Sequence, residues 1–126
     1  MKITNRLKKK ILVLDGIDND FIDYGAKIAC PECEGVIVYS IVNSYEFDSL
    51  SEEVKYFLVK KMRGVKLVSD HNEFSYDESQ LHISKKACSN CLKEFSTVLT
   101  YKEVQSARYR VYLVGLFEGD LKQIKL

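Results

Sequence analysis

The sequence predicts an α+β fold: one antiparallel, β-rich domain with a single clear helix at about residues 50–63. A four-cysteine zinc site is expected to join two knuckles of the chain. Three observations carry this. Segments rich in β-branched and aromatic residues recur along the chain, one stretch alone has helical apolar spacing with caps, and two C-x-x-C pairs lie far apart. The 126 residues are read as one domain, 1–126, long enough to bury a core of its own.

"KKKILVLDG" is expected to form a short buried strand closed by an Asp-Gly turn. "IDNDFIDYG" is turn-rich and acidic. "AKIACPECEGVIVYSIVNSYEF" places apolar residues on both sides of Cys30 and Cys33, which predicts two strands joined at the cysteine pair. Ser49, with Glu52 three residues later, reads as a capping box. Val54, Phe57, Leu58 and Met62 then follow at helical spacing, and Gly64 stands where the helix would stop. Glu52 and Glu53 in the first turn, with Lys60, Lys61 and Arg63 in the last, suit the helix dipole.

Beyond the helix, "VKLVSD" and "SQLHIS" read as strands separated by a polar loop, "DHNEFSYDE". "EFSTVLTY" puts Phe95, Thr97, Leu99 and Tyr101 on one side. "RYRVYLVGLF" sets Tyr109, Val111 and Leu113 against Arg108, Arg110 and Tyr112.

The net charge of +1 conceals alternating blocks: five cations within residues 1–10, four aspartates within 15–23, five cations within 55–66 and four acids within 70–78. No stretch builds the single-sign field of a general nucleic-acid binder. The basic start is followed only by "ILVL" before Asp15, too short for a signal region, and no apolar run reaches membrane-spanning length. A cytoplasmic protein with reduced thiols and no membrane association is the expectation.

That expectation bears on the cysteines. "CPEC" resembles the dithiol of thioredoxin-like enzymes, but that chemistry needs a following helix, and "EGVIVYSIV" is a poor helix former. Disulfides would need an oxidising compartment and would close very short loops. In the zinc reading, each C-x-x-C forms a tight turn aiming two sulfurs at one ion, so that Cys30, Cys33, Cys88 and Cys91 complete a tetrahedral site. Pro31 presets φ, and Gly35 is expected to supply a positive φ after the second sulfur. Lys27, Lys85, Lys86 and Lys93, near the cysteines in sequence, are candidates to offset the thiolate charge.

"CPEC-EG" and "CSNC-LKEF" resemble the paired knuckles of the zinc-ribbon and treble-clef group. The resemblance covers the knuckles alone, and the 54 residues between them exceed the group's usual insert. What it implies is a structural Zn²⁺ on the four cysteines, since four protein ligands close the coordination shell. The group is functionally broad and carries over no single activity.

His71 and His82 fit no metal or catalytic pattern, and no nucleophile elbow, P-loop or Rossmann glycine pattern is present. Nothing in the sequence supports an enzyme assignment. The first functional expectation is therefore a small protein that binds another protein, of immunity or inhibitor type, with its tyrosines and acidic segments as contact surface. The alternative is a zinc-ribbon-like binder of RNA or DNA. It would use Arg108, Arg110 and Tyr112 on one strand face, with phosphate contacts from Lys8, Lys9 and Lys10.

Overall fold

A computed structural model describes residues 3–68 and 73–124. His71, the end of "VKLVSD" and the start of "DHNEFSYDE" lie outside the described residues. The fold is the expected one: a mostly antiparallel β domain with one helix longer than a single turn. No helix among the described residues is long and apolar enough to cross a membrane.

In chain order the elements are β1 (Ile11–Gly16), a helical turn α1 (Phe21–Tyr24), β2 (Ala26–Ala29), β3 (Val36–Tyr39) and β4 (Tyr45–Glu46). The helix α2 (Glu52–Val59) follows, then β5 (Lys66–Leu67), β6 (Phe74–Tyr76), β7 (Ser79–Ala87), β8 (Glu94–Thr100), β9 (Lys102–Gln105) and β10 (Arg108–Glu118). The main sheet runs β1-β10-β8-β7-β6-β5, with β4 also on β7 and β9 also on β10. β2 and β3 form a separate hairpin.

β8 sits centrally, and the sheet is covered on both faces. On one, Leu50, Val54, Leu58 and Met62 pack with Leu81, Ile83, Val98 and Val114. On the other, Tyr39 packs with Leu99, Val111 and Leu113, while Ile37 meets Phe95 and Leu116. Both sides of β8 are therefore buried from Phe95 to Thr100. Its hydroxyl residues are tolerated there because each is hydrogen-bonded. Ser96 Oγ donates to the Gly119 carbonyl, Thr97 Oγ1 donates to that of Ser84, and Thr100 Oγ1 accepts from the Tyr112 N–H.

Several local expectations shift. Ser51, not Ser49, caps α2: its Oγ accepts from the Val54 N–H, whereas Ser49 closes a preceding 3-10 turn by donating to the Glu46 carbonyl. The helix is shorter than 50–63. After Val59 the N–H groups of Lys61 and Met62 bond three residues back, tightening the chain into turns that end at Gly64, φ 84°. Met62 still packs into the core from those turns.

"DHNEFSYDE" is not all loop, since Phe74–Tyr76 is β6. It turns into β7 through Asp77 and Glu78, both at positive φ, the signature of a two-residue type I′ hairpin turn. β1 lies at a sheet edge rather than in the interior, and Leu12 is 51% exposed. Its pairing with β10 slips between Leu12 and Leu14, a bulge that spoils the free edge for further pairing.

Candidate metal centre

Each cysteine pair occupies the tip of a β-hairpin. β2 runs into residues 30–35 and returns as β3, with Ala29 opposite Val36. β7 runs into residues 88–93 and returns as β8, with Ala87 opposite Glu94. The two tips fold alike. The Cys30 N–H bonds the Gly35 carbonyl at 2.7 Å and the Glu34 N–H bonds the Cys30 carbonyl at 2.9 Å. In the second tip, Cys88 bonds Lys93 at 2.8 Å and Leu92 bonds Cys88 at 3.1 Å in the same sense. Glu34 and Leu92, at matching positions, take φ near 64°.

Gly35 was expected to supply that positive φ, but the preceding Glu34 does so. Glycine is needed at 35 for space. A Cβ there would lie 2.7 Å from Asn90 Cβ, 2.8 Å from Cys88 Sγ and 3.2 Å from Cys33 Sγ. The first knuckle's backbone thus presses directly against the second. The Ser89 N–H donates to the Val36 carbonyl at 3.0 Å, tying the two tips together without metal.

The tips bring Cys30, Cys33, Cys88 and Cys91 into one cluster, with all four sulfurs within 4.8 Å of one another. Cys30 and Cys91 are 3.8 Å apart, and Cys33 and Cys88 are 3.5 Å apart. A tetrahedral thiolate site with metal–sulfur bonds of about 2.3 Å places its sulfurs roughly 3.8 Å apart. The spacing therefore fits four ligands around one ion and is far from a disulfide bond, and all four cysteines are free.

Backbone N–H groups already face the sulfurs. Those of Glu32, Gly35 and Asn90 donate to Cys30, Cys33 and Cys88, each at 3.4 Å. The Asn90 side chain and then the Gly35 N–H draw the Cys33 thiol down to about 6. The Lys93 N–H favours the Cys91 thiolate, yet partial desolvation and the three neighbouring thiols carry Cys91 up to about 11. A cluster that gives up one proton easily and holds another tightly is what four crowded sulfurs produce before a cation joins them.

Cys30 and Cys88 are buried with Ile37, Phe95 and Leu116, while Cys91 faces solvent. Around the rim, Glu32 accepts from Arg6 at 2.7 Å and lies 3.8 Å from Lys93, which also pairs with Glu118 at 3.2 Å. Lys93 is thus held protonated, by Glu118 first and by Glu32 and Cys91 to a lesser degree. Lys85 pairs with Asp120 and Glu94 instead. Asn90 had no role in the sequence reading, and only its place inside the C-x-x-C loop could have pointed to it.

The other residues singled out lie elsewhere. Arg108 Nη2 pairs with Asp15 at 2.9 Å, and Arg110 lies 3.4 Å from Asp77 and 3.9 Å from Asp15. Tyr112 is half-buried against Tyr76. Lys8, Lys9 and Lys10 are exposed on the arm before β1. His82 is half-buried on β7 beside Glu46, and burial lowers its pKa. Comparison with protein-family models, with curated proteins and with solved structures finds no match.

Proposed function

We propose that the four cysteines hold a structural Zn²⁺ and that the domain so clipped acts by binding another protein, as an inhibitor or immunity-type factor in the cytoplasm. A four-thiolate tetrahedron is the donor set of zinc or of iron–sulfur chemistry, and a shell closed by four protein ligands leaves no open position for substrate. The spacing of the four sulfurs supports a single ion rather than a multi-metal cluster, and zinc is proposed as the redox-inert ion of closed structural sites. The expected content is one zinc per chain, and a chelator should melt the knuckles. Binding in zinc-finger peptides is worth on the order of 10 kcal/mol. Purified protein without zinc, or a melting point indifferent to chelation, would refute the assignment.

The protein-binding reading is carried by one observation. Ile17, Ile22 and Tyr24 are 68%, 47% and 73% exposed on the segment that also bears Asp20 and Asp23. Aromatic and apolar side chains among carboxylates are the make-up of a protein contact with a polar rim. The test is affinity capture from the source cells with wild-type protein and with Ile17→Ser/Tyr24→Ser. A partner held by the first and released by the second is expected. Equal retention by both would exclude this surface.

A further inference from the structure

Two basic runs that are distant in sequence meet on the surface. Lys8, Lys9 and Lys10 of the N-terminal arm, with Lys61 and Arg63 from the turns after α2, line one recess of about 70 Å³. Asn5 lies among them, and no carboxylate is in the lining.

The meeting is fixed by a fully used amide. Asn5 Nδ2 donates to the carbonyls of Lys61 at 2.9 Å and Val114 at 3.4 Å, while its Oδ1 accepts from the N–H groups of Leu7 and Leu116, each at 3.0 Å. One side chain therefore binds the arm to β10 and to the end of the helical segment. Two of the cations are steadied by aromatic faces. Lys61 Nζ stands 4.9 Å from the Phe57 ring centre, and Lys10 Nζ stands 5.3 Å from that of Tyr76.

The charge here is answered only at Lys10, where Tyr76 is the main partner and the Asp77 carboxylate acts weakly from a distance. Arg6, Lys85, Lys93, Lys102, Arg108 and Arg110 each have a carboxylate within 4.0 Å. Among the described residues, none of the five recess cations is in such an ion pair. Like charges gathered without close ion pairs raise the local concentration of anions and favour a partner of high charge density.

We propose that this recess binds the phosphodiester backbone of a nucleic-acid strand. The recess has room for a single small oxyanion group, and five cations offer more donors than the two oxygens of one carboxylate accept. Successive phosphates along a strand can meet the lysine row beside it. Arginine and lysine are both fitted to phosphate, the first through its planar fork and the second as a point charge. Contacts to backbone phosphates carry no sequence information, so the binding is sequence-tolerant. The surface differs from the Arg108–Arg110 face, whose cations are already paired with Asp15 and Asp77. It is also independent of the proposed protein contact at residues 17–24.

The test is fluorescence anisotropy of labelled single-stranded RNA and duplex DNA, titrated with zinc-loaded protein from low to physiological salt. If about three phosphates are engaged, the log–log salt slope is roughly −2 for a single strand. Lys9→Gln/Arg63→Gln should flatten that slope by about 1.4 and weaken low-salt binding at least about tenfold. Lys66→Gln/Lys122→Gln removes the same charge at exposed lysines outside the recess lining and should leave the slope unchanged. Zinc content and circular dichroism confirm that both variants are folded. Absence of binding at low salt overturns the proposal, as does equal loss in the two double variants. So does tighter, recess-dependent binding of poly-glutamate, which would reassign the surface to an acidic protein.

Discussion

Gly35→Ala isolates how closely the two knuckles are packed. In most surface turns the change would be neutral or helpful, because alanine loses less backbone freedom on folding, worth about 0.4–1 kcal/mol. The Gly35 φ is not in the left-handed region, so the backbone raises no objection. The opposition is steric. The new methyl would sit 2.8 Å from Cys88 Sγ and 2.7 Å from Asn90 Cβ, and neither can simply swing aside. Cys88 is fixed whenever it ligates a metal, and Asn90 Cβ belongs to the opposing backbone turn. Overpacking of this kind costs about 1–3 kcal/mol. Without metal the Cys88 side chain can rotate away while the Asn90 contact persists, so the Cys88 share of the cost falls on the metal-bound state and the Asn90 share on folding itself. The expected net effect is metal binding weaker by about 1.4 kcal/mol, or tenfold. Competition against a chromophoric chelator reads the affinity, and thermal melting with and without chelator reads the stability. Unchanged affinity together with a raised melting temperature would refute the reasoning, because the two knuckle backbones could not then be in contact.

Three further outcomes are expected. Lys55 is 4% exposed and lies 3.6 Å from Asp48, whose Oδ1 also accepts from the Phe74 N–H. Asp48→Asn keeps that hydrogen bond but removes the charge, and should cost about 3 kcal/mol in urea unfolding. Ser51→Ala removes the cap of α2 and should cost about 1 kcal/mol by the same assay, whereas Ser49→Ala should cost less. His82 has its pKa lowered by burial, so below the unfolded value near 6.5 the unfolded chain takes up the proton first. Stability should therefore fall as pH drops from about 6.5 towards the folded value and then level off. Melting temperatures of wild type and His82→Gln across that range should differ by this term alone, since acid effects on the thiols are common to both.

The parts legible in the sequence are those in which one residue type has one physical use. Alternating β-branched and aromatic residues placed β3, β7, β8 and β10, because nothing else in those stretches competes with a pleated surface. The C-x-x-C spacing placed the four clustered cysteines, because two sulfurs in one tight turn can face a common point. What escaped turned on residues used against type. The β6–β7 hairpin has Asp77-Glu78 at positive φ, where Asn-Gly or Asp-Gly would announce the turn, so the polar residues around Phe74–Tyr76 hide a strand. The helix cap moved from Ser49 to Ser51 because Phe47 and Leu50 are both drawn into the core, and the chain between them closes into a 3-10 turn. Sequence spacing alone cannot choose between two serines two residues apart.

The two knuckles explain why a metal would be worth holding in a domain large enough to have its own core. Each is a hairpin tip, and each hairpin belongs to a different layer: β7–β8 to the main sheet, β2–β3 to the ribbon that covers it. The ribbon is a two-stranded hairpin, which is marginal alone. Its inward residues, Ile37 and Tyr39, meet the sheet next to Cys88 and Phe95 or beside Leu99 and Val111. The cluster therefore joins the tip of the ribbon to a tip of the sheet. Metal loss should release the β2–β3 ribbon first and leave the α2 face of the sheet packed. Hydrogen exchange reads this directly. Amides of Ile28 and Ile37, which pair across the hairpin, should lose protection on chelation well before those of Val98 and Val114, and simultaneous loss across all four would show that the site holds the whole domain rather than the ribbon.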